Sequence, residues 1–430
     1  MRLITVLVGL VFTMVSCSPN AFLKKRITLA EKKFQDHIGF ILYDPGTKKT
    51  LVEFNSEKYF TPASNTKIFT FYTALQILGD SVPALKFTVA HDSLIFWGTG
   101  DPSFLYSKVY SNGRVYDFFK SAPQRLFFSP VNFQTEHLGP GWAWDDYVYT
   151  YSSERTSFPL FGNFLEVMKD PNDHLIARPS FFGHYLAVGD SVPTEAKVIR
   201  DLDSNRITFF PGRKSSSART WKLPFHSSSE VIMSLLADTL KKEVGVIRTP
   251  LPKQIQILNS IPSDTLYRIM MQDSDNFIAE QLLILCAGVV SDTLNPEVAI
   301  RYAKKNLLFD LPDDPVWVDG SGLSRYNLFT PRSIVRLWEK IYTKVPRERL
   351  FKLLAVGSQS GTLKNWYPAD KPFIFGKSGS LSNNHTLSGY LITKKDKVLI
   401  FSFMNANFTV PSDEIRRMMQ EILMTVRNEY

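Results

Sequence analysis

Cysteine is almost missing from this chain: only Cys17 and Cys286 occur in 430 residues. A disulfide framework is therefore excluded, and stability must come from a hydrophobic core. Histidine is also sparse. None of His37, His91, His137, His174, His184, His226 and His385 falls in a paired ligand spacing, so no metal and no other cofactor is implied. Dense basic tracts are limited to Lys24-Lys25-Arg26 and Arg416-Arg417, despite a formal charge of +9. Nucleic acid is thus not an expected partner. No G-x-S-x-G elbow occurs, and Gly376-Lys377-Ser378 resembles the end of a Walker A loop only superficially, because Lys371 stands where the first glycine belongs.

Apolar residues make up 44% and charged residues 21%, the balance of a globular protein long enough for two or three domains. The 33 phenylalanines read as core material. Cys286 lies in the apolar helical run 277–290, which also holds Glu280 and Gln281, and reads as a small buried hydrophobe. Residues 1–17 read as an export signal: Arg2, an apolar run over 3–15 too short to span a bilayer, then Ser16 and Cys17. Met14-Val15-Ser16-Cys17 resembles a bacterial lipoprotein processing site, with Cys17 as the acylated residue. Membrane contact would then run through an N-terminal lipid only; an ordinary signal with an incidental cysteine is the alternative.

Pro62-Ala63-Ser64-Asn65-Thr66-Lys67 opens a helical pattern marked by Ile68, Phe71, Leu75 and Leu78 and stopped by Gly79. Residues three apart share a helix face, so the Ser64 hydroxyl and the Lys67 amine can meet as nucleophile and base. Alone, S-x-x-K is weak, since serine is a common cap and lysine a common surface residue. A hairpin is expected over 37–54, short aromatic strands without a long amphipathic helix over 85–225, and helices at 228–244, 263–272 and 277–290. Thr330-Pro331 opens a further helix, strands follow at 373–380, 386–393 and 398–405, and Ser263 and Ser412 are expected helix caps. No internal repeat is present.

Three motifs fall in order: Ser64-x-x-Lys67, Ser274-Asp275-Asn276 and Lys377-Ser378-Gly379. Together they are the set of penicillin-binding proteins and serine β-lactamases. Further stretches are 100–103 (GDPS), 140–146 (PGWAWDD), 319–331 (DGSGLSRYNLFTP), Gly361-Thr362-Leu363 and 387–390 (LSGY). With these, the chain resembles, over nearly its whole length, the D-alanyl-D-alanine carboxypeptidase/endopeptidase family of low-molecular-mass penicillin-binding proteins. Two departures stand out: Lys-Ser-Gly replaces the usual Lys-Thr-Gly but keeps the hydroxyl, and the polar stretch 381–385 following it bears on substrate preference.

The resemblance implies a mixed α/β (α+β) fold, a β-lactamase-like transpeptidase domain with an antiparallel sheet flanked by helices, formed by 22–84 and 226–430. An inserted β-rich domain over 85–225 is shorter than the family's two inserted domains suggest. The implied activity is that of a serine D-Ala-D-Ala carboxypeptidase, with cross-link endopeptidase activity left open, acting on peptidoglycan stem peptides in the periplasm and acylated by β-lactam antibiotics. Ser64, Lys67, Ser274, Asn276 and Lys377 are the expected catalytic set. Burial and the Lys377 charge should both lower the pKa of Lys67, Ser274 should relay a proton to the departing D-alanine, and Asn276 should hold Lys67. Lys377 and Ser378 should bind the substrate carboxylate and Gly379 should admit its backbone. The N–H groups of Ser64 and Ser380 should form an oxyanion hole, each donor contributing ~3 kcal/mol. Asp146 and Arg325 are candidates for the far end of the stem peptide. The rival readings are a serine β-lactamase and a non-catalytic cell-wall-binding protein. Against the first, the E-x-x-L-N pattern has Ser291 in place of its glutamate; against the second stands an intact nucleophile set.

Overall fold

The computed structural model describes residues 19–109, 113–170, 174–213 and 218–430. The expected export signal and Cys17 lie outside these residues. At the centre is a six-stranded sheet in the order Ala355–Val356, Ile374–Leu381, Asn384–Ile392, Val398–Ala406, His37–Asp44, Lys49–Phe54, with every neighbouring pair antiparallel. Strands that alternate apolar side chains between two faces need both faces covered. Leu399, Phe401 and Phe403 point into one core with Ile38, Phe40 and Leu42, while Ile400, Met404 and Ile41 point into the other.

The first of these cores lies under the helices Pro19–Phe34 and Ser412–Glu429. They meet through Leu23, Ile27, Ile415, Met419 and Ile422, and are tied by Arg26 Nη1 to Thr425 Oγ1 at 2.6 Å and by the Tyr430 hydroxyl to Asn20 Oδ1 at 2.7 Å. The other face carries Thr66–Ile77, Ser263–Gln272, Asn276–Ser291 and Pro331–Lys344. Asn276–Ser291 is buried over its first thirteen residues, Asn276 excepted, which explains why its sequence is apolar on nearly every side, with Glu280 and Gln281 as paired exceptions. Cys286 sits inside it fully buried, and burial pushes its thiol pKa up. Among the described residues no helix is long and apolar enough to cross a membrane.

A separate core forms around a five-stranded sheet, in the order Val244–Val246, Arg125–Phe128, Ser93–Gly98, Ser81–Ala90, Gln256–Pro262, and two three-stranded sheets formed from strands between 164 and 224. One short helix, Arg114–Ser121, lies in this part. The helix Ser229–Leu240 was expected in the transpeptidase part, yet it packs Ile232, Met233, Leu235, Leu236 and Leu240 into the separate core. Its apolar stripe has no place on the central sheet, whose two faces are already filled.

Capping differs from expectation at two helices. Ser228 and Thr330 accept from Val231 N and Ser333 N, as N-caps do. Ser263 and Ser412 are instead the first helical residues, with Pro262 and Pro411 at the cap positions, and the Ser263 hydroxyl donates to the Gly79 carbonyl at 2.7 Å.

Candidate active site

Ser64 lies in the 3-10 turn Ala63–Asn65, which runs directly into the helix Thr66–Ile77. Ala63 adopts φ 46°, a left-handed conformation that costs a non-glycine residue about 1–3 kcal/mol and survives only where surroundings fix it. They do. Asn65, fully buried, donates to the Lys377 carbonyl at 3.0 Å and to Thr386 Oγ1 at 2.8 Å, and accepts from Ser388 Oγ at 2.5 Å. Thr386 Oγ1 in turn donates to the Pro62 carbonyl at 2.9 Å. The turn is thereby stitched to the strands Ile374–Leu381 and Asn384–Ile392. A Cβ on Gly379 would sit 2.7 Å from Ser64 N, so only glycine allows this approach.

Lys67 is wholly buried, and its Nζ lies 2.9 Å from Ser64 Oγ, 2.7 Å from Asn276 Oδ1 and 2.6 Å from the Ser321 carbonyl oxygen. Burial lowers its pKa to about 8, against the opposing negative charges of Asp319, Glu280 and Asp275. The expected lowering by the Lys377 charge is corrected. Burial, and then the Lys67 charge, hold Lys377 well below the ordinary lysine value, so it is Lys377 that yields. Lys377 Nζ donates to Ser274 Oγ at 2.8 Å and to the Ser378 carbonyl at 2.7 Å. Ser378 Oγ donates to Thr362 Oγ1 at 2.6 Å. All three motifs therefore converge, and a cavity of about 210 Å³ beside them is lined by Ser64, Ser274, Ser378, Gly379 and Ser380.

Several further residues hold the site, some of them members of the quoted stretches with no role assigned from sequence. The 319–327 loop is wound on Asp319, whose carboxylate accepts from Gly322 N, Ser324 N, Asn327 Nδ2 and Trp142 Nε1 at 2.7–3.0 Å. That winding aims the Ser321 carbonyl at Lys67. Gly322, at φ 81°, passes so close to Ala63 that a Cβ would meet its carbonyl at 1.8 Å. Asp275 caps the Asn276–Ser291 helix through Ile278 N and accepts from the Tyr106 hydroxyl and from Lys108 Nζ at 2.7 and 2.8 Å. His385 and Arg416 line the cavity from the sheet and the last helix, and Ser380 Oγ lies 2.7 Å from His385 Nδ1.

Asp146 and Arg325 are not drawn into this cluster. The Asp146 carboxylate accepts from the Tyr151 hydroxyl at 2.7 Å, and Tyr151 offers its backbone oxygen to Asn276 Nδ2 at 3.0 Å. Arg325 donates to Asn383 Oδ1 at 3.2 Å at the turn between Ile374–Leu381 and Asn384–Ile392.

Glu280 joins the two parts of the molecule: its carboxylate accepts from Ser321 N at 2.7 Å and from Arg155 at 3.0 and 2.5 Å, with both side chains at most 3% exposed. Removing one member of a buried pair leaves an uncompensated charge. Glu280→Ala is expected to lower the unfolding free energy by about 3–5 kcal/mol, read by chemical denaturation. A loss under ~1 kcal/mol, the size typical of exposed pairs, would contradict this.

A model of the D-Ala-D-Ala carboxypeptidase 3 (S13) family matches residues 23–426. The chain is 24% identical over 431 residues to the D-alanyl-D-alanine carboxypeptidase DacB of Haemophilus influenzae, covering 87% of this chain and 86% of that one. It is 22% identical over 451 residues to the penicillin-sensitive carboxypeptidase A of Dictyostelium discoideum, with 89% and 85% covered. The crystal structure of penicillin binding protein 4 (dacB) from Haemophilus influenzae superposes with a TM-score of 0.74 at 18% identity, covering 94% of this chain and 99% of that one, so the fold is shared. A predatory peptidoglycan endopeptidase from Bdellovibrio bacteriovorus superposes with a TM-score of 0.51 at 14% identity over 91% of this chain and 92% of that one. With a family model spanning nearly all of its length, the chain belongs to the D-Ala-D-Ala carboxypeptidase 3 (S13) family.

Proposed function

We infer that the chain is a serine-type D-alanyl-D-alanine carboxypeptidase that trims peptidoglycan stem peptides through an acyl-enzyme on Ser64. The observation that carries the assignment to these residues is the set of oxygens around Lys67. Two of them, Asn276 Oδ1 and the Ser321 carbonyl, can only accept a hydrogen bond, whereas Ser64 Oγ can also donate. A neutral amine that spends its two protons on the first pair turns its lone pair to the Ser64 hydroxyl. That is the arrangement of a general base.

Ser64 Oγ then attacks the carbonyl carbon of the penultimate D-alanine as its proton passes to Lys67 Nζ. The oxyanion lies between the N–H groups of Ser64 and Ser380, where Gly379 lets the strand approach. Because Lys377 donates to Ser274 Oγ, the Ser274 proton is free for the departing amine as the C–N bond breaks. Lys67 passes the proton it took on to Ser274, which leaves Ser274 a hydroxyl and Lys67 neutral again. Water then cleaves the ester, with Lys67 again accepting a proton. The ladder from Ala355–Val356 reaches only Phe375 and Gly376 of the Ile374–Leu381 strand, and among the described residues no strand pairs with 377–381 on that side. A stem peptide can add there as an extended strand, carrying its earlier residues toward Asn383, Arg325 and the Tyr151–Asp146 segment.

In this proposal the transpeptidase part is 22–84 and 226–430, with a β-rich insert at 85–225; the packing of Ser229–Leu240 and Gln256–Pro262 with the insert's elements supports a later closing boundary. Cleavage of cross-links, export to the periplasm and lipid anchoring at Cys17 belong to the same proposal.

Mass spectrometry of purified muropeptides should register loss of the terminal D-alanine with the wild type and none with Ser64→Ala; equal trimming by both removes the serine from the mechanism. Accumulation of monomers from cross-linked dimers would add the endopeptidase activity. Since the base acts in its neutral form and Lys67 is held at about 8, acylation by a fluorescent penicillin should accelerate roughly tenfold per pH unit below that value and level off above it. A flat profile through this range excludes Lys67 as the base, and release of the label within seconds would favour a β-lactamase. In fractionated cells, Cys17→Ala should move the protein from membrane to soluble fractions, and unchanged partitioning would refute the lipid anchor.

A further inference from the structure

A larger cavity, of about 880 Å³, opens at the turn between Ile374–Leu381 and Asn384–Ile392, where Asn383 and Arg325 form part of its wall. Further lining comes from the helix Pro19–Phe34, the start of His37–Asp44, the end of Lys49–Phe54 and the 58–61 segment that leads to Ser64. It shares no lining residue with the cavity beside Ser64. Its volume is that of a small-ligand site.

The wall of this cavity contains a carboxyl that the fold does not use. Asp36 is 4% exposed, and neither of its oxygens has a hydrogen-bond partner among the described residues. Lys32, Lys58 and Arg325 stand in the same wall, yet none of them bonds to it. Burial pushes its pKa up to about 7, with a smaller contribution from the Glu31 charge. Glu31, by contrast, is engaged: its Oε1 accepts from Ile38 N at 3.0 Å and from Asn55 Nδ2 at 3.4 Å. Buried carboxyls normally find donors, and leaving one without them costs stability. A carboxyl kept at that cost in a cavity wall points to a ligand that brings the donors.

The remaining lining decides what that ligand is. Three basic side chains face two carboxyls, so a cation is not drawn in, and the unpaired Asp36 disfavours an anion. Beside them stand the amides of Asn55, Asn383, Asn384 and Asn407 and the rings of Phe54 and Tyr59. Amides and a carboxyl pair with neutral hydroxyl and acetamide groups, and aromatic rings suit the apolar face of a sugar ring. The location fits the same ligand. A stem peptide laid along Ile374–Leu381 covers about 3.3 Å per residue, so three residues before the scissile bond span about 10 Å, the run from Ser380 to Asn383. We propose that this cavity binds the amino-sugar backbone to which the stem peptide is attached, with Asp36 accepting hydrogen bonds from its hydroxyl or amide donors. The proposal rests on the Ser64 acyl-enzyme reading given above and adds to it the sugar portion of the same substrate. A stem peptide still joined to its sugar is thereby distinguished from a free one.

The test compares wild type, Asp36→Leu and Asp36→Asn on a pentapeptide ending in D-Ala-D-Ala and on the same pentapeptide carrying its N-acetylglucosaminyl-N-acetylmuramyl disaccharide, with thermal unfolding measured alongside. Wild type should favour the sugar-bearing substrate roughly tenfold in kcat/KM, chiefly through KM. Asp36→Leu should lose that preference with little change on the free pentapeptide. It should also unfold at a higher temperature, because it removes a buried carboxyl that has no partner. Asp36→Asn, which keeps one acceptor oxygen, should lose part of the preference. Equal turnover of both substrates by wild type, a preference that survives both substitutions, or an equal loss on both substrates with a lowered unfolding temperature overturns the assignment and leaves the Ser64 reading intact. A wild type inactive on both substrates and unlabelled by penicillin would instead overturn the reading beneath it.

Discussion

An amine without water is the constraint on which this structure rests. Lys67 is removed from solvent entirely, which penalises its charged form, and it persists because three oxygens from three distant segments surround it. Asn276 and Ser321 each stand more than two hundred residues from Lys67, so no local structure can bring them to it. The two helices and the 319–327 loop must be fixed before the amine has its partners. The carboxylates of Asp319, Glu280 and Asp275 lie near enough to limit the loss of the lysine's proton, so its pKa stops near the range where both forms are populated. The Asp319 carboxyl is itself raised, by burial and then by Glu280.

The inserted part acts as a brace for this arrangement rather than as an appendage. Tyr106 and Lys108 hold Asp275, Arg155 holds Glu280, and the Tyr151 backbone orients the Asn276 amide. Gln281 adds two bonds, to the Gly100 and Thr156 carbonyls, each at 2.8 Å. The first two turns of the Asn276–Ser291 helix therefore present polar side chains to the insert while the remainder packs in the core. Charged and amide side chains are buried here at a cost that only complete pairing offsets.

Much of the central fold was legible because its signals are local. Alternating apolar residues announce strands, Thr330-Pro331 opens a helix, and the spacing of Ile68, Phe71 and Leu75 announces the helix that follows Ser64. The failures came where tertiary packing decides. Ser228–Leu240 reads as a helix from either side, but which core receives it depends on space the sequence does not reveal. Ser263 and Ser412 look like caps until the preceding prolines take that position. Of the site, the side chains belonging to short motifs were recognisable. The Ser321 carbonyl was not, since any residue has one. Asn65 stood inside the first motif yet reads as a spacer until the strand it binds is known. Arg416 was noticed only as half of a basic pair, because a lone arginine on an amphipathic helix is usually a solvated residue.

The last helix has a consequence beyond packing. Its first turns carry Arg416, and Tyr430, the residue just past its end, is bonded to Asn20, beside the first described residue. Fourteen residues of helix between them measure about 20 Å. The place where the described chain enters the fold is thus held one rigid rod's length from Arg416 and the cavity wall it forms.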